Sequence, residues 1–291
     1  MKAILLAGGI GSRLFPVTVG VSKQLLPVYD KPMVYYPLSV LILAGIREIM
    51  IISTHQDIEG YKRLLGDGKS FGINLFYQIQ ENPNGLAEAF IIGDNFIGKD
   101  PVCLILGDNI FYGMDFSEKL KEVVERTKLG KKGTIFGYTV KNPEQYGVIE
   151  YDKSGNPLYI EEKPVDPKSN YAVVGLYFYT NEVVKIAKTI KPSKRGELEI
   201  STLNNHFLKE DKLEIEYFSQ GFTWLDTGTP ESLLKAGQFI ETIENRKGIK
   251  VGCLEEVAYI KGYITRDHLL QSAIKMKETS YGQYLIKKYN E

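Results

Sequence analysis

The stretch that most constrains this chain lies near its start, where four apolar residues at 4–7 run straight into Gly8, Gly9 and Gly11. An apolar run without polar alternation predicts a strand buried on both faces. Three glycines within four positions then turn the chain where a β-carbon would clash. Successive backbone N–H groups in such a turn form an anion-binding nest. Arg13 and Lys23 add two positive charges, and no acidic residue interrupts the stretch up to Lys23. The ligand expected from Gly8, Gly9, Gly11, Ser12, Arg13 and Lys23 is a polyphosphate, although the glycines alone also suit a plain strand-to-loop turn. Spacing excludes two common phosphate loops. A P-loop needs Gly-Lys followed by Ser or Thr, and Gly11-Ser12-Arg13 stands there instead. A dinucleotide fingerprint needs a helix opening at the glycines, which Pro16 interrupts.

Downstream, helical and strand periods alternate. The pattern predicts helix 32–44, opened by Pro32 and closed by Gly45, then strand 48–53, helix 57–65, strand 73–80, helix 86–95, strand 102–106, helix 116–128 and strand 134–140. Such alternation implies an α/β fold of Rossmann-like type, a mostly parallel sheet flanked by helices. Ligands collect beyond the carboxyl ends of such strands, where residues 8–13, 80–85 and 107–109 all fall. From residue 142 the rhythm changes to short strands at 147–151, 158–162 and 172–179, read as a β-rich insert lying over the sheet. Helices 182–190 and 199–209 follow, then strand 213–218 and a second apolar strand tip ending in Asp226. The remainder looks mainly helical, opening with helix 231–246 and its apolar stripe of Leu233, Leu234, Gly237 and Ile240. The expected division is a domain at 1–229, carrying the insert at about 142–200, and a helical C-terminal extension at 230–291.

Lys plus Arg equals Asp plus Glu at 36 each, so no global field recruits nucleic acid or an acidic membrane surface. No apolar run approaches the ~20 residues of a spanning helix. Met1-Lys2 leads into the first strand without a cleavage site, and a cytoplasmic location is expected. Cys103 and Cys253 lack metal-ligand spacing and read as buried thiols. His55, His206 and His268 are dispersed, which gives a transition metal no support.

Asp108 and Asp226 each follow an apolar strand in a glycine-flanked turn. Singly, each suits an Asx-turn. Beside a polyphosphate loop they suit magnesium, which takes one or two carboxylates plus phosphate oxygens. Glu162 and Lys163 end the second strand of the insert, where a solvated edge and a grip on an anionic sugar are both open readings. Gln80 and Gly85 could read a base edge or form an ordinary strand-to-helix turn.

Set in order, several stretches resemble the glucose-1-phosphate thymidylyltransferases, a branch of the sugar-phosphate nucleotidyltransferases. They are the loop at 6–27, the stretch 28–38, Leu-Gly-Asp-Asn at 106–109, Tyr-Gly-Val at 146–148, Glu-Glu-Lys-Pro at 161–164, residues 167–173 and 195–200, and Trp-Leu-Asp-Thr-Gly-Thr at 224–229. The Gly-Gly-x-Gly-x-Arg-Leu loop is common to the superfamily, and Lys-Gln-Leu-Leu-Pro-Val-Tyr-Asp-Lys-Pro-Met at 23–33 is more particular to the thymidylyl branch. The resemblance implies that Arg13 and Lys23 hold the nucleotide phosphates and that Gln24, Gln80 and Gly85 recognise thymine. It implies that Asp108, also in contact with the nucleotide, and Asp226 carry Mg2+, and that Gly147, Glu162, Lys163 and Val174 bind glucose 1-phosphate. It implies a homotetramer. It also implies a second nucleotide site at a subunit interface, around residues 112–114 and 250–256. There Met114 replaces a usual His and Gln220 a usual Arg, leaving Lys250 as the main cation and weak binding of dTDP-sugars as the expectation.

The reaction so implied joins dTTP and glucose 1-phosphate into dTDP-glucose and pyrophosphate. A phosphate monoester is already anionic near neutral pH, so no protein nucleophile is needed. The rivals are a UTP-dependent uridylyltransferase on the same fold and a non-catalytic sugar-nucleotide sensor. Binding alone would not need both metal carboxylates, which counts against the sensor.

Overall fold

A computed structural model describes residues 1–290. The first half holds β1 (Lys2–Ala7), β2 (Pro27–Val28), β3 (Lys31–Pro32), α1 (Tyr35–Leu43), β4 (Glu48–Ser53), α2 (Ile58–Leu65), β5 (Asn74–Ile79), α3 (Glu88–Ile92), α4 (Asp94–Ile97), β6 (Val102–Leu106), β7 (Asn109–Tyr112), α5 (Phe116–Lys128) and β8 (Gly133–Thr139). The second half holds β9 (Gly147–Tyr151), β10 (Pro157–Glu162), β11 (Tyr171–Tyr179), α6 (Glu182–Ala187), α7 (Ile200–Lys209), β12 (Leu213–Tyr217), β13 (Thr223–Asp226), α8 (Pro230–Lys247), α9 (Leu254–Ile260), α10 (Arg266–Lys275) and α11 (Ser280–Tyr289).

One nine-stranded sheet runs β10-β9-β11-β6-β1-β4-β5, with β8 beside β11 and β12 on β8. Its strands β6-β1-β4-β5 are parallel as expected. Strand β1 alternates Ala3, Leu5 and Ala7 into one core and Ile4 and Leu6 into the other, so both faces are covered. Each fully buried Leu or Ile of this kind contributes about 1.5–3 kcal/mol. The α/β expectation therefore holds at its centre.

Three sequence expectations need correction. The strands at 147–179 do not lie over the sheet; they extend it. Strand β11 pairs antiparallel with β6 and sends Ala172, Val174, Leu176 and Phe178 to one core and Val173, Tyr177 and Tyr179 to the other. A strand buried on both faces belongs inside a sheet. The helix expected at 32–44 starts only at Tyr35, because Pro32 is held in the small β2–β3 pairing. The helix expected at 86–95 is two short helices parted at Gly93, where a β-carbon would come within 2.8 Å of Ile4 Cδ1.

The C-terminal helices share the main core: Leu254, Ala258, Leu269, Ala273, Tyr281 and Leu285 join Leu38 and Leu41 of α1. Helix α8 is opened by a reciprocal cap, in which Thr229 Oγ1 accepts from Ser232 N at 3.2 Å and Ser232 Oγ accepts from Thr229 N at 2.9 Å.

Candidate active site

The glycine loop folds as expected at the carboxyl end of β1. Gly11, at φ 66°, starts a short 3-10 turn at Ser12–Leu14, and Thr18 Oγ1 donates to its carbonyl at 2.7 Å. A further 3-10 turn at Lys23–Leu25 brings Lys23 and Gln24 back to the strand ends, where both are buried. Gln24 packs over Gly107, and its Oε1 accepts from Ser22 Oγ at 3.0 Å and Tyr61 OH at 3.3 Å. Gln80 lies across Gly8, so close that a β-carbon there would come within 2.8 Å of Gln80 Oε1. Gly85, at φ 106°, faces Leu198 with no room for a side chain. Together Gly8, Gly9, Gly11, Lys23, Gln24, Gln80, Gly85 and Asp108 line a cavity of about 210 Å3.

The two aspartates meet through a pairing that the sequence did not reveal. Strand β7 begins immediately after Asp108 and pairs antiparallel with β13, which sets Asn109 opposite Asp226. Thr227 Oγ1 donates to the Asp108 carbonyl at 2.8 Å, tying the two turns together. Asn109 completes the joint. Its Oδ1 accepts from Trp224 Nε1 at 2.7 Å and Gly175 N at 3.1 Å, and its Nδ2 donates to Asp108 Oδ1 at 2.8 Å.

Lys23 forms an ion pair with Asp108 Oδ2. Burial acts to raise the Asp108 carboxyl, but the charge and hydrogen bond of Lys23, together with hydrogen bonds from Asn109 and the backbone, outweigh it and hold the group below its ordinary value. Asp226 goes the other way. Burial and then the charge of Asp108 push it up to about 6, against smaller opposing effects of Lys23 and Arg13. Two neighbouring carboxylates, one repelled by the other and both offering hard oxygen donors, fit a divalent cation. Among the described residues no cluster of three or more His, Cys, Asp or Glu could hold a metal. Arg13 packs against Gly228, two residues beyond Asp226, where any β-carbon would overlap its guanidinium.

A second cavity, of about 270 Å3, adjoins the first and includes Arg13, Gly147, Glu162, Lys163 and Asp226 in its wall. Burial and then the like charge of Glu199 raise the Glu162 carboxyl. Lys163 sits at φ 47° at the end of β10, and its N–H donates to Tyr146 O at 2.9 Å. Val174 is placed differently: Val173 and Gly175 line the cavity, while the Val174 side chain points into the opposite core. Only its backbone can reach a ligand. Two residues not expected in a site role bear on this cavity, Asn109 in its wall and Arg195 through carboxylates of that wall. Arg195 lies 2.9 Å from Glu197, 3.4 Å from Glu199 and 3.9 Å from Glu162. Asn109 is the other; the sequence marked it only as part of the strand-tip stretch 107–109 and the Leu-Gly-Asp-Asn motif, with no role of its own.

A family model for nucleotidyl transferases matches residues 2–243. The glucose-1-phosphate thymidylyltransferase of Neisseria gonorrhoeae is 54% identical over 286 residues, covering 98% of each chain. That of Mycobacterium tuberculosis strain ATCC 25618 / H37Rv is 52% identical, again over 98% of each. The chain belongs to the nucleotidyl transferase family, among the glucose-1-phosphate thymidylyltransferases. A Bacillus anthracis crystal structure described under that activity, in complex with a sucrose, is 39% identical with a TM-score of 0.75, over 82% of this chain and 94% of that one. A UDP-glucose pyrophosphorylase bound to UDP-glucose, at 24% identity and TM-score 0.73 over 83% of this chain and 98% of that one, shares the fold. As in nucleotidyl transferases generally, the substrates are a nucleoside triphosphate and a sugar phosphate. No helix among the described residues is long and apolar enough to cross a membrane.

Proposed function

We propose that this enzyme transfers a thymidylyl group from dTTP to glucose 1-phosphate, giving dTDP-glucose and pyrophosphate, by direct in-line displacement. The observation that carries this reading is the pair of adjoining cavities, which share Leu86, Leu106, Asp108 and Glu197 as a common wall. One compartment takes the nucleotide and the other the sugar phosphate, so the reacting groups meet at Asp108. Gln24, Gln80 and Gly85 hold the thymine, while Gly147, Glu162 and the Val174 backbone hold the glucose and Lys163 its phosphate. An oxygen of the sugar phosphate attacks the α-phosphorus, the bond from that phosphorus to the bridging oxygen breaks, and pyrophosphate leaves with the electron pair.

Lys23, which is buried, and Arg13, which is exposed, face the charge that grows on the α-phosphate and the leaving group, which is electrostatic stabilisation of the transition state. Lys23 gives up part of its contact with Asp108 as phosphate oxygens enter. Asp108 and Asp226 would hold Mg2+, which would supply further neutralisation of phosphate charge. Both thiols, Cys103 and Cys253, are buried with their pKa pushed up by burial first, and they line neither cavity. They are not nucleophiles for this reaction.

Pyrophosphate release with each nucleoside triphosphate, glucose 1-phosphate and Mg2+ tests the assignment. Turnover with dTTP is expected, and turnover with UTP alone would make the enzyme a uridylyltransferase. Labelled pyrophosphate should not exchange into dTTP without the sugar phosphate or product. Exchange with dTTP alone would require a covalent enzyme intermediate. A homotetramer belongs to the same proposal. The apolar groove of about 730 Å3 between residues 14–17 and α8, where Phe15, Val17 and Leu234 are more than half exposed, offers a face for a subunit contact. Light scattering would measure the assembly.

A further inference from the structure

Two glutamines reach the nucleotide cavity, and a side-chain amide can present either its carbonyl or its NH2 to a ligand. Which end is offered depends on what holds the other end. Gln80 follows β5 directly, and its Nε2 donates to Glu88 Oε2 at 2.7 Å and lies 3.4 Å from Gly85 O. Both partners are acceptors only, because an ionised carboxylate and a peptide carbonyl have no proton to give. The amide therefore has one orientation. Its Oε1 is turned toward the glycine loop, over Gly8, and accepts no hydrogen bond from the described residues. Glu88 is itself held: it opens α3, and its other oxygen accepts from Asn84 Nδ2 at 2.8 Å.

Gln24 is set the opposite way. Its Oε1 accepts from the Ser22 and Tyr61 hydroxyls, which leaves its NH2 as the free end. Hydroxyls can rotate to donate or accept, so this second lock can reverse. The carboxylate lock on Gln80 cannot.

We propose that Glu88 is a specificity-determining positioning residue, which fixes the Gln80 carbonyl toward the base and so selects pyrimidines carrying a ring N–H beside a carbonyl over those carrying a ring-nitrogen acceptor beside an amino group. The proposal rests on the reading that Gln80 meets the base. Thymine and uracil both have the required edge. Cytosine would bring its ring-nitrogen acceptor against the Gln80 carbonyl, and the amide could not turn over to welcome it without facing Glu88 and Gly85 O with its own oxygen. Rejection comes from two buried acceptors forced together, which is costlier than a missing contact.

Glu88→Gln tests this directly, since a neutral amide can donate as well as accept and frees Gln80 to turn. The ratio of kcat/KM for dTTP to that for dCTP is expected to fall about tenfold or more. The ratio for dTTP over UTP should stay within about twofold, because those bases share the edge being read. An unchanged dTTP-to-dCTP ratio in the folded variant overturns the proposal. Should that variant fail to fold by circular dichroism, Asn84→Leu takes its place. It releases one oxygen of Glu88 and lets the carboxylate swing from Gln80, with a smaller loss of selectivity expected and an unchanged ratio again decisive against. Gln80→Leu separates this inference from the reading beneath it. If that change leaves kcat/KM for dTTP untouched, Gln80 does not meet the base and the site reading itself fails. If it lowers kcat/KM while Glu88→Gln leaves selectivity alone, only the role of Glu88 falls.

Discussion

Two clusters in this enzyme have the same formal make-up, two cations and two carboxylates, and opposite characters. Beneath α8, Lys31 and Lys250 pair with Asp30 and Glu244. Lys31 lies 2.8 Å from Glu244, Lys250 lies 2.7 Å from it, and both lysines also touch Asp30. Val251 N adds a third bond to Glu244 at 2.9 Å. In the proposed nucleotide site Lys23 and Arg13 stand near Asp108 and Asp226, but only Lys23 and Asp108 are paired. Among the described residues neither Arg13 nor Asp226 makes an ion pair within 4 Å. A cluster closed on itself is scaffold, because it has nothing left to offer a ligand. The open one holds a carboxylate raised to about 6 and an uncommitted guanidinium, which are the groups a metal–phosphate complex would satisfy.

The largest effect is expected at the closed cluster. Glu244→Ala leaves Lys31 and Lys250 sharing Asp30 alone, with one positive charge of the cluster uncompensated, and removing one partner of a buried pair typically costs about 3–5 kcal/mol. Denaturant melts should show that loss, while kcat per folded molecule stays within about twofold. A collapse in kcat at full stability would mean that the quartet is part of the site.

Lys23→Ala should behave in the reverse manner. The charge it opposes grows toward the transition state, so kcat should fall about 10²–10³ while KM for dTTP changes far less. Steady-state rates give the split, and an effect confined to KM would remove Lys23 from the catalytic step.

How much of this was legible beforehand follows from chain distance. The glycine loop, Arg13 and Lys23 announce themselves within twenty residues because a nest is local chemistry. The alternation of β1, β4, β5 and β6 with helices is also local, and their bounds came out close. The joint between Asp108 and Asp226 was not legible, since it depends on β7 pairing with β13 more than a hundred residues away. Residues 109–112 read as a loop after a glycine turn, and nothing in their sequence names Trp224 as a partner of Asn109. For the same reason β11 looked like part of a separate insert. Its alternation shows burial on two faces, but only its pairing with β6 shows which sheet does the burying.

A finer test uses pH on the metal-free protein. The folded pKa of Asp226, about 6, lies above its ordinary 3.8. The folded state thus binds this proton more tightly, and the stability it contributes is present below pH ~4 and lost as pH rises through ~6. Asp108 has the opposite sign: its lowered pKa contributes stability above the ordinary range, lost as pH falls through the lowered value. Asp226→Asn should therefore stabilise the metal-free protein at pH 7 by about 1–2 kcal/mol and flatten the slope between pH 4 and 6. The same change should weaken Mg2+ dependence and activity. Unfolding in chelator-containing buffer, followed across pH, would measure the first effect, and destabilisation at pH 7 would show Asp226 to be a turn cap after all.

The smallest effect is expected where the closed cluster borders a cavity. Lys250 forms part of the wall of a space of about 430 Å3 together with Tyr36, Tyr112, Gly113, Asp115 and Glu118, the region that the resemblance marks as a second nucleotide site. Its ammonium is already shared between Asp30 and Glu244, so the quartet is neutral as a whole, and Asp115 and Glu118 add negative charge beside it. Met114 and Gln220 are exposed and bring no cation. A diphosphate entering there would have to draw Lys250 away from Asp30 and Glu244 and leave Lys31 alone against two carboxylates, which opposes binding more strongly than one charge-assisted bond favours it. Initial rates at saturating dTTP should accordingly change by less than about twofold as dTDP-rhamnose is added up to millimolar levels, a Kd of ~1 mM corresponding to only about 4 kcal/mol of binding. Potent inhibition that dTTP cannot relieve would mean that Lys250 leaves its partners at little cost, and the line between scaffold and site would then run through the quartet instead of around it.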